Sequence, residues 1–119
     1  MLRDLKLCSK DFAHLCVKIA LSLPESALGR HTKHQLIRSS TSVAANYRAA
    51  SLGQSKKAFI SKLSIVIEEA DECVFWMEFL KEEGLATGMT FESALKEGRE
   101  LTAIFVSSRR TAEKTNKRE

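Results

Sequence analysis

Acidic residues are missing from one long stretch of this chain. Residues 26–67 contain no Asp or Glu, although the 119-residue sequence has 15 acids and about five would fall in such a window by chance. The same stretch carries seven Lys or Arg residues and two His, whereas residues 68–100 carry ten acids and three bases. The formal net charge of +4 therefore conceals a strong separation of charge along the sequence.

Proline and long apolar runs are also scarce. Proline occurs once, and no apolar run approaches the roughly 20 residues that a transmembrane helix needs. Residues 1–10 alternate charged residues with Leu and do not form the apolar segment of a signal peptide. We therefore expect a cytoplasmic protein without a membrane partner. A chain of 119 residues is long enough for one hydrophobic core and too short for two, which predicts a single domain over residues 1–119.

The usual patterns of catalytic and metal sites are lacking. Three cysteines form an odd set without a C-x-x-C pair, which favours reduced, buried thiols over a disulfide framework. His31 and His34 are two ligands without a third, and no Glu-x-x-His pair of a di-iron bundle occurs. No Ser, Cys or His arrangement indicates an activated nucleophile, and no Gly-rich phosphate loop follows a strand. We predict no catalytic residues, no metal site, no cofactor and no enzymatic activity.

Apolar residues recur at steps of three and four, and no strict alternation persists long enough to predict a strand. The pattern predicts an all-α protein with helices at about 4–23, 32–51, 55–83 and 90–110, the third being the longest, and a polar tail at 111–119. Because the connections are short, we expect an antiparallel, up-down-up-down four-helix bundle. The third helix has more apolar surface than one seam needs, which predicts self-assembly.

Residues with known capping preferences set the predicted helix ends. Pro24 ends the first helix, because the residue before a proline is pushed out of the α region. Thr32 and Gln35 have the spacing of a capping box for the second helix. Gly53 is expected to end that helix in a left-handed conformation, and Gly84 to close the third. The predicted N-caps of the third and fourth helices are Ser55 and Thr90, and Gly98 inside the fourth is predicted to mark a close helix crossing.

The basic residues are the candidate nucleic-acid-binding groups, because cations at a surface neutralise phosphates. Four of them lie near predicted helix ends, where we expect them to cluster at one rim: Arg30, Lys33, Lys56 and Lys57. The other candidates are Arg38, Arg48, Arg109 and Arg110. Two alternatives stay open at this point: the cations of the second helix pair with acids of the third, and the basic C-terminal residues are a solvated end.

Aromatic residues are nearly absent from the basic segments, Tyr47 being the main exception. A platform that stacks unpaired bases is therefore not expected, and binding should be led by the phosphate backbone. Asn46 is interpreted as a buried polar residue that fixes helix register, and Gln35 and Ser42 lie near the same stripe.

Residues 35–48, QLIRSSTSVAANYR, followed by SKKAFI at 55–60 and EEA at 68–70, resemble the four-helix bundle proteins of the 23S rRNA intervening-sequence family. Leu23-Pro24, Glu72 and Trp76 also match that pattern. The family's Q-x-x-R-A-x-x-S-x-x-x-N core is represented here by the following residues: Gln35, Arg38, Ser39, Ser42 and Asn46. Ser39 replaces the commoner Ala, and Arg48-Ala49 stands where many members have an acidic residue and Gly.

The resemblance implies an antiparallel four-helix bundle that assembles as a homopentamer. Some relatives are encoded within insertions of the 23S rRNA gene. A related branch, the accessory variability proteins of diversity-generating retroelements, forms a basic pentamer that binds nucleic acid and a reverse transcriptase. We therefore expect a non-enzymatic homo-oligomer that binds structured RNA or DNA. The alternative is an interaction scaffold that docks a polypeptide such as a polymerase without contacting nucleic acid.

Overall fold

The computed structural model of the protein describes residues 3–53 and 55–118, with side chains described as far as residue 115. Four α-helices account for nearly all of this chain: α1 Leu5–Leu21, α2 Ala27–Ser51, α3 Lys56–Glu82 and α4 Met89–Arg118. No strand occurs within the described residues. The predicted all-α, four-helix class is confirmed, although α4, with 30 residues, is longer than α3, with 27.

Contacts between neighbouring helices show that they run in opposite directions. Between α2 and α3, His31 meets Trp76 while Arg38, further along α2, meets Glu69, which is earlier in α3. Between α3 and α4, Lys81 pairs with Glu92, Glu78 with Arg99, and Ser64 with Arg109. α1 packs on α2 and α4, and α3 packs on the same two helices. α1 and α3 therefore lie diagonally across the bundle.

Helix starts follow local capping chemistry, with corrections for α2 and, as described below, for α4. Ser55 caps α3 as predicted, its hydroxyl accepting a hydrogen bond from the backbone N–H of Ala58 at 3.1 Å. The prediction of Thr32 as the cap of α2 was wrong, because Ser26 accepts from the Gly29 N–H at 3.0 Å and starts that helix at Ala27. Thr32 is instead buried inside α2, where its hydroxyl donates to the Leu28 carbonyl at 2.7 Å.

Helix ends also differ in part from expectation. Gly84 closes α3 as predicted, with a φ of 72° and a hydrogen bond from the Leu85 N–H to the Leu80 carbonyl. Gly53 does not adopt positive φ, and α2 ends with Leu52 as its C-cap in an ordinary negative-φ conformation. Thr90 lies inside α4, whose first intrahelical carbonyl belongs to Gly88. α4 continues through residues 111–118, where we predicted a polar tail; residue 119 lies outside the described residues.

The core is a continuous layer of apolar side chains from all four helices, centred on Phe12, Leu36, Met77 and Phe105. Gly98 lies where α4 crosses α1 and α3, since a Cβ atom there would be 3.2 Å from atoms of Phe12 and Val74. The predicted close crossing is confirmed. The apolar core and this crossing hold the four helices together.

Two thiols lie within this core. Cys16 and Cys73 are completely buried, and the Cys73 thiol donates to the Ser39 hydroxyl at 3.3 Å. The hydrogen bond with Cys73, together with burial, raises the pKa of the Cys16 thiol. The three cysteines are free thiols, as expected from their spacing.

None of the helices in the described part of the chain combines the length and the apolar content needed to span a bilayer.

Gly29 provides a sharp test of how α1 connects to α2. A Cβ atom at this position would lie 1.9 Å from the carbonyl oxygen of Pro24, so Gly29→Ala must displace the connection. We expect this variant to lose about 2 kcal/mol of unfolding free energy, although Gly→Ala normally stabilises a helix interior by about 1 kcal/mol. Chemical denaturation measures it. Ser93→Ala, at an exposed position of α4, should leave stability nearly unchanged; an equal or higher stability for Gly29→Ala would contradict the packing described.

Candidate nucleic-acid interface

The antiparallel arrangement separates the cations that were expected at one rim. Arg30 and Lys33 lie in the first turns of α2, whereas Lys56 and Lys57 begin α3 after the other end of α2. About 30 Å of helix separates the two pairs, at 1.5 Å per residue. The predicted four-residue cluster is therefore wrong, because two consecutive helix starts in an up-down bundle face opposite ends.

The pair at the start of α2 is bound to an acid of the preceding connection. Lys33 Nζ lies 2.7 Å from a Glu25 carboxylate oxygen, and Arg30 donates to the Glu25 backbone carbonyl at 2.8 Å. The hydrogen bond from Lys33 and its charge lower the pKa of Glu25. Both cations therefore bind Glu25 in the connection between α1 and α2.

Arg38 also has acidic partners, as the pairing alternative foresaw. Its guanidinium reaches across to α3 and contacts both Glu69, at 3.0 Å, and Glu72. The hydrogen bond with Glu72 raises the pKa of Arg38. Glu72 also accepts from the indole N–H of Trp76 at 3.1 Å. Arg38 therefore joins α2 to α3, and its charge is already compensated.

Most of the cations that have no carboxylate partner among the described residues lie at the opposite end of the bundle. The start of α1, the end of α2, the start of α3 and the end of α4 meet there. Residues 3–10, 44–53, 55–64 and 106–115 contain ten Lys or Arg residues and two acids, Asp4 and Glu113. Glu97 and Glu100 of α4 also reach this end, where they contact Arg3. We call this surface the basic end.

Seven cations of the basic end are exposed and have no carboxylate partner among the residues that the structure describes. These residues are Lys6, Lys10, Arg48, Lys57, Lys62, Arg110 and Lys114. The acids that reach this end are already engaged: Asp4 accepts from the Leu7 N–H as the N-cap of α1, Glu113 lies 3.6 Å from Arg109, and Glu97 and Glu100 contact Arg3. The result is a concentrated positive field at one end.

The remaining cations of this end are held closer to the protein. Arg3 pairs with Glu97 and lies 3.8 Å from Glu100. Arg109 donates to the Ser64 hydroxyl at 3.5 Å, and its side chain is half-buried. Lys56 is half-buried in the first turn of α3. Of the eight predicted binding residues, Arg48, Lys56, Lys57, Arg109 and Arg110 lie at the basic end; Arg30, Lys33 and Arg38 do not.

Sequence reasoning did not name Lys6, Lys10 or Lys62 as binding residues, and it placed Lys114 only in the basic C-terminal segment. Lys6 and Lys10 lie outside the acid-free window, and the C-terminal segment was expected to leave the bundle as a tail. The signal was available in the topology, because alternate helix starts and ends meet in an antiparallel bundle. Counting charge by helix end, rather than along the sequence, brings these residues together.

The aromatic side chains at this end are not available to stack on bases. Tyr47 is half-buried, with its ring 5.5 Å from that of Phe105, and Phe59 packs against the core. Burial, and to a smaller extent the charge of Asp4, raises the pKa of Tyr47. The basic end therefore offers charge without a stacking platform.

The three predicted polar-core residues are half-buried on α2 and bond within that helix. Asn46 donates from Nδ2 to both the carbonyl and the hydroxyl of Ser42, each at 2.9 Å. Gln35 accepts from Arg38 at 3.3 Å and belongs to a separate group of contacts. The register role of Asn46 stays a prediction. Within the described residues, no group of three His, Cys, Asp or Glu side chains is placed to hold one metal ion.

The fold and this surface define an all-α four-helix bundle with a strongly basic end. The family model described as 23S rRNA-intervening sequence protein matches residues 4–107, and the chain belongs to that family. The family resemblance predicted from residues 35–48 is thereby confirmed.

A solved relative supports the same assignment. The 1.70 Å crystal structure of a protein of unknown function from the S23 ribosomal protein family of Bacteroides thetaiotaomicron VPI-5482 is 32% identical, with a TM-score of 0.79. The match covers 87% of this chain and 95% of that one. A search of curated proteins gave no significant match.

Tyr47 makes the packing at this end sensitive to alkaline pH. Because its pKa is raised in the folded protein, folding favours the protonated phenol, and this contribution is complete below the ordinary value of 10.0. It is lost as the pH rises through the folded-state value. Above pH 10, we expect the free energy of unfolding of the wild type to fall relative to that of Tyr47→Phe. Urea unfolding at pH 8 to 11 measures it, and the shared lysine titration cancels in the comparison. A difference that stays constant over this range would contradict the burial effect.

Proposed function

We propose that the protein is a non-enzymatic, homo-oligomeric helical bundle of the cytoplasm that binds structured RNA or DNA through its basic end. The observation that supports this most directly is the set of seven exposed cations at one end that have no carboxylate partner in the part of the chain that the structure describes. The family name refers to sequences that interrupt 23S rRNA, which is consistent with an RNA ligand.

Charge without exposed aromatics favours contacts with the phosphate backbone. Lys and Arg that contact phosphates release counterions, so affinity should fall steeply with salt and depend little on base sequence. Duplex regions present phosphates at fixed spacing and need no stacking platform. Structured RNA and duplex DNA are therefore favoured over unpaired strands.

Self-association would strengthen this binding. A ring whose subunits point the same way would place every basic end on one rim, where the fields add. Five subunits is the number that the family resemblance implies. Exposed apolar residues along α3, chiefly Phe75 at 51% and Ile65 at 38%, favour association because exposed apolar patches mark interaction surfaces.

One salt titration tests the nucleic-acid proposal. Lys57→Gln, Lys62→Gln and Arg110→Gln, combined in one variant, remove three exposed cations from the basic end without breaking an ion pair among the described residues. Binding to an RNA hairpin and to a DNA duplex is measured by fluorescence anisotropy from low to physiological salt. If all three residues contact phosphates, the slope of log affinity against log salt should become shallower by about 2.7 for duplex DNA, or roughly 0.9 per contact.

The matched control removes three exposed cations elsewhere. Lys18, Arg30 and Lys96, changed together to Gln, lower the net charge equally and also break no ion pair among the described residues. This control should keep the wild-type slope. Equal weakening by both variants would show an effect of net charge alone, and absence of binding at low salt would rule out the proposed ligand class.

The alternative function is a scaffold that docks a polypeptide such as a polymerase. The observation that favours it is an aromatic cluster on α3 and α2, where the Trp76 ring lies 5.4 Å from His31 and 5.0 Å from the exposed Phe75. If the wild-type protein binds neither RNA nor DNA in the salt titration, the scaffold function is favoured. Both functions would rest on the same bundle.

A further inference from the structure

A groove runs along the outer surface between α1 and α2, with a volume of about 760 Å³. Its floor is made of small side chains, Ala13, Ala44 and Ala45, and Leu7 at its edge is 55% exposed. Small residues in a groove let the side chains of another helix enter, as in ridge-into-groove packing. The shape of this groove therefore fits a helix that carries large apolar residues.

The charge of the groove limits which helix can enter. Lys6, Lys10 and Arg48 line it together with His14, and each of the three cations is exposed without a carboxylate partner among the described residues. The single acid of the lining, Asp4, already caps α1. A helix with acidic residues beside its apolar ones would be attracted here, whereas a basic helix would be repelled.

The outer face of α3, formed by residues 65, 68, 72, 75 and 79, has both properties. These positions follow steps of three and four and so form one stripe along the helix. Ile65, Phe75 and Phe79 supply large apolar side chains, and Glu68 supplies negative charge, whereas Glu72 is already paired with Arg38. Ile65, Glu68 and Phe75 are exposed, and the stripe itself contains no Lys or Arg.

We propose that the groove between α1 and α2 binds the outer face of α3 from a second copy of this chain. Charge complementarity and the match of large side chains to a small-residue floor choose this occupant over other helices of the protein. α1 and α3 are diagonal in the bundle, so the two surfaces face different directions and cannot meet within one chain.

This pairing joins two different surfaces, so the contact is heterologous. Each copy keeps a free groove on one side and a free α3 face on the other, and further copies add until the rotation closes a ring. This inference rests on the self-association in the proposed function and specifies the surfaces that carry it. It does not depend on nucleic-acid binding.

Charge reversal tests the pairing directly. One variant combines Lys6→Glu with Lys10→Glu in the groove, and a second combines Glu68→Lys with Asp71→Lys on and beside the α3 stripe. Each places like charges across the proposed contact and should lower the association constant by at least about tenfold. All four changes in one chain restore opposite charges, so association should recover to near the wild-type value. Sedimentation equilibrium without nucleic acid measures the mass, and circular dichroism verifies the fold.

The matched control is Lys96→Glu with Lys114→Glu, which reverses two exposed cations of α4, a helix that contributes to neither surface, and should leave association unchanged. Three results would overturn the proposal: a monomeric wild type, unchanged association in both reversed pairs, or four changes that weaken association additively. A monomer that binds an acidic amphipathic peptide in the groove would identify another protein as the occupant and would also overturn it. If association follows the charge-reversal pattern but the salt titration shows no nucleic-acid binding, then nucleic-acid binding alone is refuted and the pairing of the two surfaces stands.

Discussion

The direction of each helix relative to its neighbours is the constraint on which the other features depend. Short connections return each helix beside the previous one, and buried apolar seams hold that arrangement. As a result, two helix starts and two helix ends meet at each end of the bundle. The basic end exists because this alternation gathers cations from four separate parts of the sequence, and Arg38 then fixes α2 against α3 between the two ends.

The sequence was most informative about features that depend on neighbouring residues. The three- and four-residue apolar spacing predicted four helices, and Ser55 and Gly84 were identified correctly because their capping chemistry is local. The prediction for Thr32 failed for a physical reason. Thr32 has a good capping-box partner in Gln35, and Gly29 disfavours helix locally. Ser26 nevertheless caps the helix and Gly29 fits closely against the Pro24 carbonyl, so α2 begins more than one turn earlier.

The candidate site was harder to predict because charge clustering is a property of space. Arg38 is basic in the sequence, and only the register between α2 and α3 shows that Glu69 and Glu72 compensate it. Lys6 and Lys10 lie about 40 residues from Arg48 in the sequence and line the same groove in the fold. The separation of Lys33 from Lys57 could have been foreseen, since consecutive helices of a predicted up-down bundle start at opposite ends.

The buried thiols have a chemical consequence for this protein. Thiolates, not thiols, react with oxidants and alkylating reagents, and the raised pKa of Cys16 keeps it protonated inside a closed core. Cys73 is equally shielded from solvent, which leaves Cys8, only partly covered, as the more accessible of the three. The two core thiols can thus remain compact packing groups under oxidising conditions. Alkylating reagents should react first with Cys8 on α1.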